Sequence, residues 1–378
     1  MPGAAGSRDE LRIVQVCRTG WPHVGGMESA VGGLASALLS RGHRVRVVTL
    51  DRTLTDGRPL PEGRWRGVPY VRLRRRGPRR YPFASGLTRQ LLGADIVHVH
   101  GLDGLADLAV ATRLVHRARV GVSTHGGFFH TRRTPRLKEV WLRTVTRHTL
   151  QRADAVWFTS AGDEERLRAA AISGTVIENG VDVDRFADLA RRPRTGRWLV
   201  LGWIAVHKGL DDLIDALAIV ARKDPQPFTV DVVGRADSGR AMEDLQVRIA
   251  AWGLQDRLHF HGEVDHAALR WLLGRAELAL FPSRYEGFGL AVVEVMAAGV
   301  PVVVNAIPAF ERLVRPDVEG YRVDFGDPAT AAERLVALRQ RDHAPVAAAA
   351  REKAERYRWG AKVLEWETAY RALLSGTG

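Results

Sequence analysis

The chain has 378 residues, 46% of them hydrophobic and 26% charged, a globular composition too long for one ordinary core and suited to two domains. A single cysteine, Cys17, excludes an internal disulfide framework, and no Cys/His grouping has zinc spacing. The net charge of +13 is lopsided: residues 1–190 carry 30 Lys/Arg against 18 Asp/Glu, while the remainder is nearly balanced. The first half is therefore expected to meet something anionic and extended, a membrane surface or a nucleic acid.

No apolar run reaches the length of a membrane span, and the opening "MPGAAGSRDE" lacks the apolar core of a signal peptide, so a cytoplasmic protein is expected. In chain order, "RIVQV" (12–16), "RVRVVTL" (44–50), "DIVHVH" (95–100), "RVGVST" (119–124) and "AVWFTS" (155–160) predict strands of a parallel sheet. A helix-like stretch over residues 27–43 separates the first two. After "RRPRTG" (191–196), read as a linker or exposed turn, a second set begins. It comprises "RWLVLGW" (197–203), "FTVDVVG" (228–234), "RLHFHG" (257–262), "ELALFPS" (277–283) and "VPVVVN" (300–305). Two successive βα series predict an α/β protein of two doubly wound, Rossmann-like domains, with ligands at the carboxyl ends of the strands and a site in the cleft where the domains face.

Four loops fall at those strand ends. "HVGGME" places Gly25 and Gly26 at a helix start, where backbone N–H groups can approach an anion. "STHGGFFHT" puts His125 at a strand mouth before two glycines. "GWIAVHKGLDDL" sets Lys208 before a glycine that opens a helix, an arrangement suited to a diphosphate. The fourth, "SRYEGFGLAVVEVMAAGVP", carries Glu286 beside the Gly287-Phe288-Gly289 turn and Glu294 eight positions later in an apolar helix. A charge there needs a reason, because burying an unpaired carboxylate is costly. Two carboxylates beside a phosphate cradle describe a sugar-nucleotide site, with Glu294 accepting from a vicinal diol such as a ribose and Glu286 from a second sugar. Asp182-Val183-Asp184 mimics a metal-binding Asp-x-Asp, but its place after "ENG" suits helix capping or a domain connection better.

The double glutamate of "EGFGLAVVE", with "GGME", "HKG" and "NGVD", resembles the signature of retaining glycosyltransferases of family 4, which have the two-domain GT-B fold. "VVTLDR", "IVHVHG", "VSTHGGFFHT", "VWLRTVTR" and "VIENGVDV" narrow the resemblance to the GDP-mannose-dependent α-mannosyltransferases of xanthan-type exopolysaccharide assembly. The resemblance implies an acceptor domain over residues 1–185, a nucleotide-sugar domain over 186–357 and a C-terminal helix, 358–378, returning to the first. It implies a GDP-mannose donor, a lipid-linked oligosaccharide acceptor, no cofactor and no metal. Lys208 would hold the diphosphate with amides of Gly25, Gly26, Gly287, Phe288 and Gly289. Glu286 and His125 would serve the reacting hexose, Glu294 the ribose, and Gly262 and Val264 of "HGEV" the base. One departure stands out: Trp203 occupies a position where the family usually has an arginine, so the missing cation would come from Arg235 or Arg284.

The excess charge concentrates in residues 71–83 and 131–152. The second stretch reads as an amphipathic basic helix with Leu137, Val140, Trp141, Val145 and Thr149 on one face. Arg132, Arg133, Arg136 and Lys138, with Trp141, would then dock the chain peripherally on the anionic inner face of the cell membrane. Other readings are a family 4 enzyme using a UDP-sugar or a soluble natural-product acceptor, a GT-B-type sugar-nucleotide epimerase, and a nucleic-acid binder. The last rests on charge alone, without an aromatic-basic recognition module, and no nucleic-acid partner is expected.

Overall fold

The computed structural model describes residues 10–23, 25–54, 57–79, 81–126 and 140–376. The chain forms two compact units, Met1–Val181 with Trp359–Gly378, and Asp182–Arg358.

In the first unit the strands are β1 (Arg12–Cys17), β2 (Arg44–Leu50), β3 (Gly63–Trp65), β4 (Val68–Leu73), β5 (Arg75–Arg76), β6 (Phe83–Ala84), β7 (Ile96–His100), β8 (Arg119–Ser123), β9 (Ala155–Phe158) and β10 (Thr175–Val176). Eight of them form a sheet in the order β10-β9-β8-β7-β1-β2-β4-β3, parallel except for β3 against β4. β5 and β6 make a separate ribbon. The chain starts at the centre, runs outward through β2, and returns beside β1 at β7, so the switch point lies between β1 and β7. β7 is buried along its whole length, as a strand covered on both faces must be. The C-terminal helix Trp359–Ser375 belongs to this unit and lays Val363, Trp366, Tyr370 and Leu373 into its core.

The second unit has β11 (Arg197–Leu201), β12 (Thr229–Val233), β13 (Leu258–Gly262), β14 (Leu278–Phe281), β15 (Val302–Asn305) and β16 (Gly320–Val323), parallel in the order β13-β12-β11-β14-β15-β16. Its switch point lies between β11 and β14.

The first part of the arginine-rich stretch 71–83 is strand β4. Arg72 there is buried, donating to Thr49 Oγ1 at 2.5 Å, the Pro61 carbonyl at 2.9 Å and the Trp21 carbonyl. Of the two readings of residues 191–196, linker or exposed turn, the structure has the turn: residues 192–195 are exposed and lie inside the second unit. Arg191 reaches inward to the carbonyls of Ala276 and Gly299, and the backbone amides of Arg192 and Arg194 bind the carbonyls of Gly274 and Arg275. In the basic segment, helix is described from Val140 to Arg152, with a π turn at Leu142–Thr146. The side chains turned to the core are Leu142, Thr146, Thr149 and Leu150, while Val140 is 59% and Trp141 37% exposed. Of the described residues expected on the apolar, membrane-facing side, Thr149 departs from that expectation by being buried. Arg132, Arg133, Arg136, Leu137 and Lys138 lie outside the described residues.

Candidate active site

Loops leaving β11 and β14 meet at the switch point of the second unit, the place where open α/β sheets bind ligands. After β11 comes a short turn, Val206–Lys208, then Gly209 and the helix Leu210–Lys223. Gly209 has φ of 65°, and a Cβ there would stand 2.2 Å from the Pro282 carbonyl, so only glycine lets the two loops close. The amides of Arg284 and Tyr285 then donate to the His207 carbonyl at 2.9 and 3.3 Å.

This closure brings Lys208 Nζ to 2.5 Å from Glu286 Oε1, which also accepts from Ser283 Oγ at 2.9 Å. Both charged side chains are largely buried, at 20% and 15% exposure. Phe288 turns inward edge-on to Tyr357, 5.5 Å between centroids, and so fixes the glycine turn from below. Gly289 starts the helix Leu290–Ala297 with no side-chain cap, leaving first-turn amides to be satisfied from outside. Two turns along, Glu294 is one-quarter exposed with Arg185 at 4.0 Å. Burial raises its pKa above the ordinary carboxylate value against the pull of Arg185.

The two candidate substitutes for the missing arginine differ. Arg284 is committed to the acidic first turn of the helix Leu210–Lys223: Nε donates to Asp212 at 2.7 Å, and Nη2 to Asp211 and Asp212 at 2.8 and 2.5 Å. Arg235 follows β12 as Trp203 follows β11, and its guanidinium lies over the indole, 5.3 Å from the centroid, within cation–π range. The two strand ends interlock tightly, for a Cβ on Gly234 would sit 1.9 Å from the Gly202 carbonyl. The amide of Gly234 donates to the Gly262 carbonyl at 2.8 Å, which places Gly262 at the mouth of the next strand, with Val264 half-buried beyond it.

Sequence reasoning missed Asn305. Buried at the end of β15, its Nδ2 donates to the Ser283 carbonyl at 3.1 Å while Oδ1 accepts from the Phe325 and Ala306 amides, pinning the loop that carries Glu286. A polar residue closing the apolar run "VPVVVN" was the available signal.

In the first unit, Gly25 precedes the helix Gly26–Ser40, and a Cβ on it would lie 2.3 Å from a carboxylate oxygen of Glu28, which also takes the Thr19 hydroxyl proton. The anion closest to that turn is thus the chain's own Glu28. His125 follows β8 with φ of 47°, unusual for a residue with a Cβ. Its neighbours are clamped by buried Asp163, whose Oδ2 accepts from Thr124 Oγ1 at 2.7 Å and the Gly126 amide at 2.8 Å. Burial pushes the His125 pKa down to about 4. Trp141 packs edge-on against Tyr81 at 5.0 Å and keeps an exposed side. Asp182 begins the second unit without making a cap hydrogen bond, so the capping expected of it is not seen, and Asp184 pairs with Arg358. Among the described residues, no group of three or more His, Cys, Asp or Glu side chains is placed to hold a metal ion.

Comparison with known proteins completes the description. The family described as Glycosyl transferases group 1 matches residues 172–356, and Glycosyltransferase Family 4 matches residues 24–185. The chain is 34% identical over 374 residues to a GDP-mannose:cellobiosyl-diphosphopolyprenol alpha-mannosyltransferase of Komagataeibacter xylinus, covering 97% of this chain and 94% of that one. It is 35% identical to the protein of the same description from Xanthomonas campestris, covering 87% of each. Among solved structures, a sucrose-phosphate synthase of Thermosynechococcus elongatus superposes with a TM-score of 0.77 over 96% of this chain and 99% of that one, at 23% identity. That likeness establishes the fold as GT-B.

Proposed function

This chain belongs to glycosyltransferase family 4, with a group 1 glycosyl transferase module as its second half, and we infer that it is an α-mannosyltransferase. It moves mannose from GDP-mannose to a sugar carried on polyprenyl diphosphate, in exopolysaccharide assembly, as the descriptions of its relatives specify for them. The observation that carries this reading is the closed pair of loops around Lys208, Glu286 and the uncapped helix at Gly289.

Each group has a task that follows from its surroundings. Backbone amides of the turn at Gly287, Phe288 and Gly289, which leads into the helix, receive the diphosphate, and the Lys208 ammonium, held in place by Glu286, neutralises charge that grows as the nucleotide leaves. Glu286 remains for hydroxyls of the hexose. Glu294 takes the ribose diol, gaining the hydrogen bonds its present surroundings withhold. Arg235, presented on the Trp203 ring, supplies the cation that the family's usual arginine would bring; Arg284 does not, being occupied by two aspartates. Gly262 and Val264 meet the base. In the first unit, Gly25 and Gly26 contribute amides, and His125 serves the transferring hexose. The anomeric C–O bond to the diphosphate breaks, and the acceptor hydroxyl attacks on the same face and passes its proton to the departing diphosphate oxygen, retaining configuration; no metal is invoked because amides and cations take the charge.

A polyprenyl-linked acceptor stays in the membrane, and no helix among the described residues is long and apolar enough to cross one. The basic first half therefore attaches the chain peripherally, from the cytoplasmic side, with exposed Val140 and Trp141 adding shallow apolar burial. Calorimetry across GDP-mannose, GDP and UDP-glucose tests the donor assignment. Binding of the guanine compounds that Glu294→Ala abolishes supports it, and preference for UDP-glucose refutes it.

A further inference from the structure

Behind His125 the first unit buries a chain of polar side chains. Gln15 on β1 pairs in register with His98 on β7, so Gln15, His98 and His100 share one face of the sheet, the face that also meets Tyr370 of the C-terminal helix. Gln15 and His98 are fully buried, and His100 nearly so. Every link in the chain is close: His125 Nε2 to His100 Nδ1 at 2.8 Å, His100 Nε2 to Gln15 Oε1 at 2.5 Å, Gln15 Nε2 to Tyr370 Oη at 3.2 Å, Tyr370 Oη to His98 Nδ1 at 2.8 Å, and His98 Nε2 to Ser123 Oγ at 2.6 Å.

The amide of Gln15 sets the direction of the whole series. Its oxygen faces His100, so His100 Nε2 must carry a proton. A neutral His100 then offers only a lone pair at Nδ1, and the proton between the two rings belongs to His125 Nε2. From its nitrogen, Gln15 donates to Tyr370, whose hydroxyl proton goes to His98.

We infer that Gln15 and His100 are positioning residues for His125, fixing its ring as the neutral, Nε2-protonated tautomer and leaving Nδ1 as an acceptor for a hydroxyl of the transferring sugar. The inference rests on the placement of His125 at the hexose proposed above. It gives the polar chain a purpose that packing alone does not, since burying this many polar atoms is costly unless each is satisfied. A neutral imidazole also suits its post: an imidazolium would repel the positive charge that develops at the anomeric carbon.

The ionisable groups around His125 cannot readily charge it. Burial lowers the pKa of all three imidazoles, and His125 further opposes protonation of His98 and of His100, as His98 does of His100. Tyr370 on the C-terminal helix has its pKa pushed up and stays a phenol. Asp163, on the helix Ala161–Arg168, is itself pushed toward the neutral acid by burial and spends Oδ2 on Thr124, Thr159 and the Gly126 amide. No described residue in direct hydrogen-bond contact with His98, His100 or His125 is a carboxylate.

The tautomer can be read directly by long-range ¹H–¹⁵N correlation on the full chain labelled at histidine, near neutral pH. His125 protonated at Nε2 is the expected result; a proton on Nδ1, or an imidazolium, overturns the inference. Because this measurement needs no turnover, it decides the relay even for a chain that transfers no mannose. A second test changes one atom group. Gln15→Glu puts a carboxylate under His100, and the acid limb of kcat should move up by about 1–3 pH units as the histidine pair gains a proton, with KM for the donor unchanged. A merely structural Gln15 would leave that limb where it is, and an unmoved limb in a folded variant overturns the proposal.

Discussion

Glu294 sits inside an apolar helix with its carboxyl pushed up by burial, a cost that the proposed ribose contact would offset. A carboxyl whose folded pKa exceeds its unfolded one favours the fold while protonated and withdraws that stability as pH rises through the folded value. Glu294→Gln should therefore melt higher than the parent at pH 7, by a few degrees (roughly 2–4 °C per kcal/mol for a unit of this size), and the difference should vanish below the ordinary glutamate pKa of 4.5. Thermal scans at the two pH values check this; equal melting at pH 7 would show that the carboxylate is not strained. The Trp203–Arg235 pair makes a second prediction at this scale. Arg235→Ala should weaken donor binding by about 1.5–3 kcal/mol, the worth of a hydrogen bond to a charged group. Adding Trp203→Arg should restore it, because the cation returns from the neighbouring strand. Calorimetry showing full affinity for Arg235→Ala would place the diphosphate elsewhere. Glu286 and Glu294 were legible in the sequence because one short spacing carries them, and Lys208 because it stands before a glycine that opens a helix. Asp163, Asn305 and the partners of His125 were not, since Gln15 and Tyr370 lie at opposite ends of the chain and nothing local announces that they touch.

Among the elements, the strands that carry the site read clearly because each is a short apolar run ending in glycine or a polar residue. β4 did not, since Pro69 and Arg72 disguise a strand whose alternate residues are buried, and the two-residue β10 is too short to leave a pattern. In the basic helix, Val140 and Trp141 stay exposed on the side assigned to the membrane, whereas Thr149, assigned to the same side, is buried along with Leu142. The loops at the β11–β14 switch depend on a backbone that only glycine permits. Gly209→Ala would force a Cβ against the Pro282 carbonyl in a left-handed conformation, at a cost of about 1–3 kcal/mol for such strain. Lys208 should then separate from Glu286, so donor affinity should fall along with stability. A crystal structure or a binding isotherm of that variant identical to the parent would refute the coupling of the two loops.

For the whole molecule, the proposed peripheral attachment rests on the excess charge of the first half. Neutralising Arg132, Arg133, Arg136 and Lys138 together should release the protein from anionic vesicles, at roughly 1 kcal/mol per basic residue. It should slow transfer to a lipid-linked acceptor while sparing a short water-soluble analogue. High salt should act like the substitutions, because it screens the same attraction; vesicle binding that survives both would exclude the charge as the anchor. The most direct test of the central claim is mass spectrometry of a cellobiosyl-diphospholipid incubated with the chain and GDP-mannose, then with UDP-glucose. The account predicts an acceptor one hexose heavier, in α linkage, from GDP-mannose alone. An unchanged acceptor with GDP-mannose, or an equal product from UDP-glucose, would contradict it.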